Sequence, residues 1–177
     1  LVLLVSCSPT PPPEVPSHRL VKNGGVTFEI GSNDPFTGVS IEYHENGQLK
    51  RRGNYKLGKE HGIHEMFYEN GQLGRKKEYE KGIELSDTTF VYYDNGRLVI
   101  RSNYKNGERE GLTMYYHENG QLSENINYKN GKPDGPYEKF NDNGQLEIRG
   151  THKNGKKEGL WKYYDEYGFQ IIESCYK

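Results

Sequence analysis

The chain repeats one short phrase at a nearly constant interval, and that interval limits its fold more than any other feature. The phrase reads YHENGQL at 43–49 and again at 116–122, with variants at 68–73, 93–98 and 141–146. Its glycine returns every 24 residues, or 25 in one unit, over six units: Gly47, Gly71, Gly96, Gly120, Gly144 and Gly168. A fixed period of this length predicts a stacked array of similar supersecondary units.

Turn signals divide each unit into two strands. Asn-Gly recurs about every twelve residues, as at Asn119-Gly120 and Asn130-Gly131. This pair readily adopts positive φ and is the strongest short-range signal of a β-hairpin. We therefore predict an all-β fold, an elongated single-sheet antiparallel meander of about six two-stranded units.

The spacing also predicts the length of the turns. A three-residue loop at 118–120, with its glycine left-handed, pairs Tyr116 with Leu122 on one face, whereas a two-residue loop would place them on opposite faces. The same arithmetic predicts a three-residue loop at 129–131. We expect bulged three-residue turns at both ends of the hairpins.

Apolar residues at three repeated positions predict the core. They share one alternation parity, so we expect them on one face of the sheet. Aromatic residues stand four positions before each repeat glycine, at Tyr43, Phe67, Tyr92, Tyr116, Phe140 and Tyr164. Leucines stand two positions after it, at Leu49, Leu73, Leu98, Leu122 and Leu146. Tyrosines stand eight positions after it, at Tyr55, Tyr79, Tyr104, Tyr128 and Tyr176, with His152 in the remaining unit.

A second set of large side chains is assigned by alternation to the opposite face. Its members are Met66, Tyr68, Val91, Tyr93, Tyr115, Tyr137, Trp161 and Tyr163. Aromatic side chains with polar tips are typical of binding surfaces. The alternative is that these side chains pack on one another, or beneath the N-terminal segment. The sequence leaves both interpretations open.

Composition supports a thin β protein and argues against several functions. Hydrophobic residues make up only 32% of the chain, while Tyr and Gly number 15 and 22, which suits strands and turns better than a thick aliphatic core. The formal net charge of −1 provides no broad positive field, so we do not expect nucleic-acid binding.

The first residues, LVLLVSC, are similar to a bacterial lipobox, whose cysteine is lipidated after signal-peptide cleavage. We expect residues 1–7 to be a signal-peptide remnant with lipidation at Cys7, and the sequence to begin part-way through the signal peptide. The Pro-rich segment 8–22 is expected to be an extended tether. A capping-strand region at 23–38 and the repeat array at 39–177 follow.

The repeats resemble the MORN repeat variant. The stretch YKNGKPDGPYEKFNDNGQL at 128–146 carries its tyrosine, its Gly-x-x-x-Gly and its Asn-Gly-x-Leu ending, and the resemblance covers 36–177. It implies a non-enzymatic, elongated antiparallel sheet used for interaction. Some bacterial relatives carry antitoxin labels, and eukaryotic MORN arrays occur in membrane-associated and in scaffold proteins.

Charged and metal-ligating residues give no positive sign of chemistry. An acidic row precedes the repeat glycines at Glu45, Glu69, Asp94, Glu118, Asp142 and Glu166, and a basic row follows at Lys56, Lys105, Lys129, Lys153 and Lys177. Both are interpreted as solvated turns that protect the sheet edges. The histidines show no ligand spacing, and no nucleophile or phosphate-loop motif occurs. We expect no catalytic residue, metal or cofactor.

These inferences lead to two functional expectations. The first is a lipid-anchored binding module of the bacterial cell envelope that presents its aromatic face to an unidentified protein partner, for example as an immunity or antitoxin-like protein. The second is a structural envelope scaffold that touches glycan or lipid headgroups. The irregular unit at 81–89, in which Ser86 replaces a glycine, is either a bend with a contact role or sequence drift.

Overall fold

The computed structural model describes residues 11–177. Residues 1–10, including the predicted lipidation site Cys7, lie outside this range. One 3-10 helix occupies Ser17–Arg19. The strands are β1 Glu14–Pro16, β2 Leu20–Asn23, β3 Val26–Glu29, β4 Gly38–Tyr43, β5 Leu49–Lys56, β6 Lys59–Phe67, β7 Leu73–Glu80, β8 Ile83–Tyr92, β9 Leu98–Lys105, β10 Glu108–Tyr116, β11 Leu122–Lys129, β12 Lys132–Phe140, β13 Leu146–Lys153, β14 Lys156–Tyr164 and β15 Gln170–Tyr176.

Twelve consecutive strands, β4 to β15, form an antiparallel meander in which each strand pairs with its neighbours in sequence. Strand β1 adds a thirteenth strand, parallel to β4, at the first edge. Strands β2 and β3 form a separate two-stranded sheet. The predicted all-β meander of six two-stranded units is confirmed.

The turns that contain the repeated phrase are three-residue loops, as predicted. In the fourth unit, His117 N donates to Gln121 O and Gly120 N donates to His117 O, both at 2.8 Å. All six repeat glycines in these turns have φ between 82° and 90°, a region that glycine enters without steric cost. We call this end of the hairpins the front-turn edge.

The turns at the other end are shorter than predicted. Lys129 pairs directly with Lys132, which leaves a two-residue loop of Asn130 and Gly131 with φ of 50° and 74°. Positive φ at both central residues is the geometry of a type I′ turn, whose twist matches the flanking strands. The prediction of a three-residue return turn was therefore wrong.

Bulges within the strands account for the miscounted return turns. Tyr128 pairs with Pro133 and Ile126 with Tyr137, so β12 holds two more residues than β11 between these pairs. Gly135, with φ of 122°, lies in this bulge. Simple alternation cannot anticipate residues that a bulge removes from the ladder.

A second bulge beside each front turn separates two of the predicted core rows. Leu49 pairs with Tyr43, but Arg51 pairs with Glu42, which leaves Lys50 without a partner. Because the register changes by one residue, Leu49 and Arg51 lie on opposite faces. The aromatic and leucine rows therefore share one face, and the row of tyrosines eight positions after the glycine lies on the other.

We call the face that carries those tyrosines the packed face. Trp161 is 1% exposed, and its ring lies 5.2 Å from Tyr137, 4.9 Å from His152 and 6.2 Å from Tyr176 between centroids. Along the middle of the same face lie Gly53 and His64 on β5 and β6, and Ser102, Thr113, Ile126, Tyr137, Gly150 and Trp161 on β9 to β14. The predicted binding face and the predicted tyrosine row are thus one surface.

We call the opposite side the charged face. Its middle carries cross-strand pairs of opposite charge, such as Glu65 with Lys76 and Glu138 with Arg149. The rows predicted as a core lie at its front-turn end, where Tyr43 is 56% exposed. The remaining members are half-buried: Phe67, Tyr92, Tyr116, Phe140, Tyr164, Leu49, Leu73, Leu98, Leu122 and Leu146. They form no buried core, because no second layer covers the charged face within the described residues.

Residues 14–22 are folded, contrary to the tether expected at 8–22, of which residues 8–10 lie outside the described range. Strand β1 pairs with the first meander strand, and Val15, Val39 and Phe36 are buried here, at 8%, 1% and 6% exposed. Strand β3 occupies the predicted capping region, but it pairs with β2. The sheet edge itself is covered by β1.

Backbone hydrogen bonds fix this N-terminal hairpin to the array. Thr27 N donates to Gly58 O at 2.8 Å, and Gly58 N donates to Phe36 O at 2.7 Å. The hairpin therefore sits at the first return turn, beside the packed face.

Candidate functional site

The predicted binding residues lie on the packed face, and their accessibility differs along the array. Trp161, one of the predicted binding residues, is enclosed. A Cβ atom at Gly150 would lie 2.2 Å from its ring, and Trp161 Nε1 donates to Thr151 O at 3.1 Å. Trp161 is therefore a packing residue, and its ring fills the space that a side chain at residue 150 would occupy.

A lysine completes the packing around Trp161. Lys157 Nζ lies 4.2 Å from the centroid of the Trp161 ring and donates to the Tyr163 hydroxyl at 2.8 Å. That hydrogen bond lowers the pKa of Tyr163, because the ammonium favours the phenolate. Tyr163 is thus engaged within the chain by a cation–π cluster.

The middle of the array holds an equivalent cluster around an arginine. Arg109 Nη1 donates to the hydroxyls of Tyr115 and Tyr128 at 3.1 and 3.2 Å. Burial raises the pKa of Tyr115, and burial together with Glu124 raises the pKa of Tyr137 to about 12. These phenols stay protonated and serve as internal donors and acceptors.

The accessible part of the predicted binding face lies near the front-turn edge of the second and third units. Met66, Tyr68 and Val91 are 41%, 43% and 39% exposed, and Tyr93 is half-buried. We call these four residues the front patch. An open cleft of about 710 Å³ at this edge is lined by Tyr68, Val91 and Tyr93, together with Phe67 and Tyr92 of the aromatic row.

The two tyrosines of the front patch are held by the backbone of the next unit. Tyr68 donates its hydroxyl hydrogen to Phe90 O at 3.0 Å, and Tyr93 donates to Tyr116 O at 2.8 Å. His44 and His117 make the corresponding bonds through Nε2 at 2.8 and 2.9 Å, to Phe67 O and Phe140 O. The sequence analysis missed this inter-unit bond, although its signal was the fixed position directly after the aromatic row.

The asparagine of the repeated phrase has a comparable structural role. Asn119 Oδ1 accepts from Gln121 N at 2.9 Å, and Asn119 Nδ2 donates to Asp142 O at 2.6 Å in the next turn. Asn46 makes the same two bonds, to Gln48 N and Glu69 O. The phrase therefore encodes both a turn and a link to the following turn.

The irregular third unit contains a buried ion cluster that the sequence analysis also missed. Asp87 is 3% exposed and binds Arg75 through both carboxylate oxygens, with Lys77 Nζ at 3.6 Å. Lys77 also binds Glu84 at 2.6 Å. Leu85 is bulged in this unit, where Glu84 and Ser86 pair with successive residues of β7.

The charged rows and histidines assemble no metal centre in the described part of the chain, where no group of three or more His, Cys, Asp or Glu side chains could hold a metal ion. Across residues 11–177 there is also no helix long and apolar enough to cross a membrane. Cys175 is an exposed free thiol on β15.

The geometry defines a class of protein, a β-hairpin repeat array whose surfaces, turns and inter-unit bonds recur with the repeat. The MORN repeat variant family matches five segments, at 36–57, 60–81, 88–106, 109–130 and 133–154. These segments cover more than half of the chain, which therefore belongs to the MORN repeat variant family. Each one ends at the first positive-φ residue of a return turn: Leu57, Lys81, Asn106, Asn130 and Asn154.

The family repeat is thus one hairpin closed by a front turn. Repeats of this family generally serve as protein- or lipid-binding modules. No curated protein matches the chain.

Proposed function

We propose that the protein is a non-enzymatic binding module that presents the front patch to a protein partner. One observation supports this proposal: the patch combines exposed apolar side chains with tyrosine side chains that hydrogen bonds already hold in place. Met66 and Val91 offer apolar area, while the hydroxyls of Tyr68 and Tyr93 are already bonded within the chain. Side chains that are ordered before binding lose little conformational entropy on association.

The cellular setting is also a proposal. Lipidation at Cys7 would attach the array to a bacterial envelope membrane, and an immunity or antitoxin-like role is one form that partner binding would take. A structural scaffold that touches glycan or lipid headgroups is the competing function. Because Trp161 is buried and Tyr163 is engaged by Lys157, such contacts would also fall on the front patch.

The test is a capture experiment with the full chain carrying Cys7→Ser, used as bait in an extract of the native cells. One variant combines Met66→Gln and Val91→Thr on the front patch. A matched control combines Leu112→Gln and Ile63→Thr on the charged face, where these side chains are 38% and 40% exposed. Each variant replaces one unbranched or γ-branched residue and one β-branched residue.

We expect the unmodified bait and the control to retain one protein that the front-patch variant loses. If the patch variant, folded by circular dichroism, retains the same protein as the control, the front patch is not the interface. If no bait retains a protein but all bind peptidoglycan or lipid vesicles, the scaffold function replaces the proposed one.

A further inference from the structure

A second concave site lies at the N-terminal end of the packed face. It is a cleft of about 400 Å³ between the β2–β3 hairpin and strands β4–β7. Leu20, Val21 and Lys22 line it from the hairpin, and Tyr55 and Tyr79 line it from the sheet. This volume is in the range of small-molecule sites.

The apolar part of the lining is arranged to hold a flat group. Val21 of the hairpin and Met66 of the sheet are 49% and 41% exposed, and both line the cleft. Between Tyr55 and Tyr79 the imidazole of His64 packs edge-on, with centroid distances of 5.3 and 4.8 Å. The sheet therefore supplies a rigid aromatic floor, and the hairpin supplies an aliphatic cover.

Two guanidinium groups flank Met66 in the register of the sheet. Arg51 pairs with Met66 from one side and Arg75 from the other. The Arg51 side chain is 60% exposed and approaches Glu42 only to 4.0 Å, while Glu42 binds Lys50 at 2.7 Å. The N–H donors of Arg51 are therefore available to a ligand.

Arg75 is oriented by a buried partner. Its Nε and Nη2 atoms bind the carboxylate of Asp87, which is 3% exposed. Nη1 remains for a further contact, and the Arg75 side chain is 42% exposed. A planar guanidinium held in this way suits an oxyanion, because its donors match carboxylate and phosphate oxygens.

The other titratable groups of the cleft are compatible with an anion. Burial raises the pKa of Tyr55 and lowers the pKa of His64, so the phenol remains a donor and the imidazole remains neutral near pH 7. His64 Nε2 donates to Asn54 O at 2.8 Å. Over the whole lining, five cationic side chains outnumber three carboxylates. They are Lys22, Arg51, Arg52, Arg75 and Lys77 against Glu42, Glu60 and Glu65.

We propose that this cleft binds a small oxyanion, a carboxylate or a phosphate monoester, carried on a flat apolar body. Arg51 and Arg75 hold the oxyanion. Val21 covers the apolar body against the floor formed by Tyr55 and Met66. The site shares Met66 with the front patch, but Arg51 and Arg75, which hold the oxyanion, lie outside the patch, and binding does not depend on the proposed protein partner.

The test measures saturable binding to the full chain carrying Cys7→Ser by two-dimensional NMR titration. Phenyl phosphate and benzoate are the probes, and inorganic phosphate shows what the ring contributes. Arg51→Gln removes one guanidinium without breaking a close ion pair, and Arg101→Gln removes the same charge from an exposed site on the charged face. Loss of a charge-assisted contact is expected to weaken binding about tenfold or more in Arg51→Gln only.

Each outcome decides the proposal. Saturable shifts at cleft residues, lost in Arg51→Gln and retained in Arg101→Gln, support it, and the tighter of the two aromatic probes identifies the oxyanion. Absence of saturable binding by both aromatic probes at millimolar concentration overturns it. Equal weakening in the two variants also overturns it, because general charge attraction would then account for the binding.

Discussion

The packing of the Trp161 ring over Gly150 gives a quantitative test of the structure. The perturbation is Gly150→Ala, which adds one methyl group 2.2 Å from one ring atom of Trp161 and 2.3 Å from another. Both distances are much shorter than a van der Waals contact between carbon atoms, so the indole must move. Its movement also breaks the 3.1 Å bond from Nε1 to Thr151 O.

The expected cost follows from three contributions. Overpacking in an ordered interior costs roughly 1–3 kcal/mol, and loss of one hydrogen bond costs about 1 kcal/mol. Alanine within a strand is more favourable than glycine by about 0.5–1 kcal/mol, which offsets part of this cost. We therefore expect Gly150→Ala to lower the free energy of unfolding by about 2 kcal/mol.

A double-mutant cycle isolates the steric cause. In a Trp161→Val background no ring lies over residue 150, so Gly150→Ala should be neutral or slightly stabilising. The assay is urea unfolding followed by far-UV circular dichroism, because the background lacks the single tryptophan. An equal loss of stability in both backgrounds would refute the reasoning, since the cost would then come from the backbone at residue 150.

Three further predictions use the same unfolding assay. Leu57→Asn should stabilise the chain by about 1 kcal/mol and Asn130→Leu should destabilise it similarly, because both positions have φ of 50° and a left-handed leucine is strained; equal effects of one sign would contradict this. Asp87→Asn should cost about 2 kcal/mol, because a buried carboxylate loses charge-assisted bonds; an unchanged midpoint would show that the cluster is neutral for stability. Burial lowers the pKa of His64 in the folded chain, so the unfolded chain takes up the proton first and stability should fall between about pH 7 and pH 5; His64→Gln should reduce that slope, and an unchanged slope would exclude His64 as a source.

The repeat arithmetic predicted the architecture because turns are local. The repeat glycine at Gly120 needs positive φ and Asn119 closes its own turn, so a few neighbouring residues determine the hairpin. Copies at a constant interval then determine the meander. The front turns, the strand order and the number of units could all be read from the chain.

The assignment of side chains to faces failed because bulges are not visible in the spacing. Lys50 leaves the ladder beside the front turn, and Gly135 lies in the bulge of β12. Each change of register alters which side chains share a face. Alternation therefore joined Leu49 with Tyr55, which lie on opposite sides of the sheet.

The candidate surfaces depended on tertiary contacts as well. Aromatic type alone could not distinguish buried Trp161 from exposed Tyr68, since the difference comes from Gly150, a residue eleven positions away that lacks a side chain. The N-terminal cleft required the hairpin of β2 and β3 to fold against the sheet. A proline-rich sequence does not predict that the β2–β3 hairpin packs against the sheet.

The sequence by itself thus determined the repeating hairpin, because its signals act within a few bonds of one another. Only the tertiary structure decided which face is packed, which tyrosines remain accessible and that Arg51 and Arg75 flank Met66. Those outcomes depend on bulges and on contacts between units, where the size of one side chain decides the position of another across the sheet.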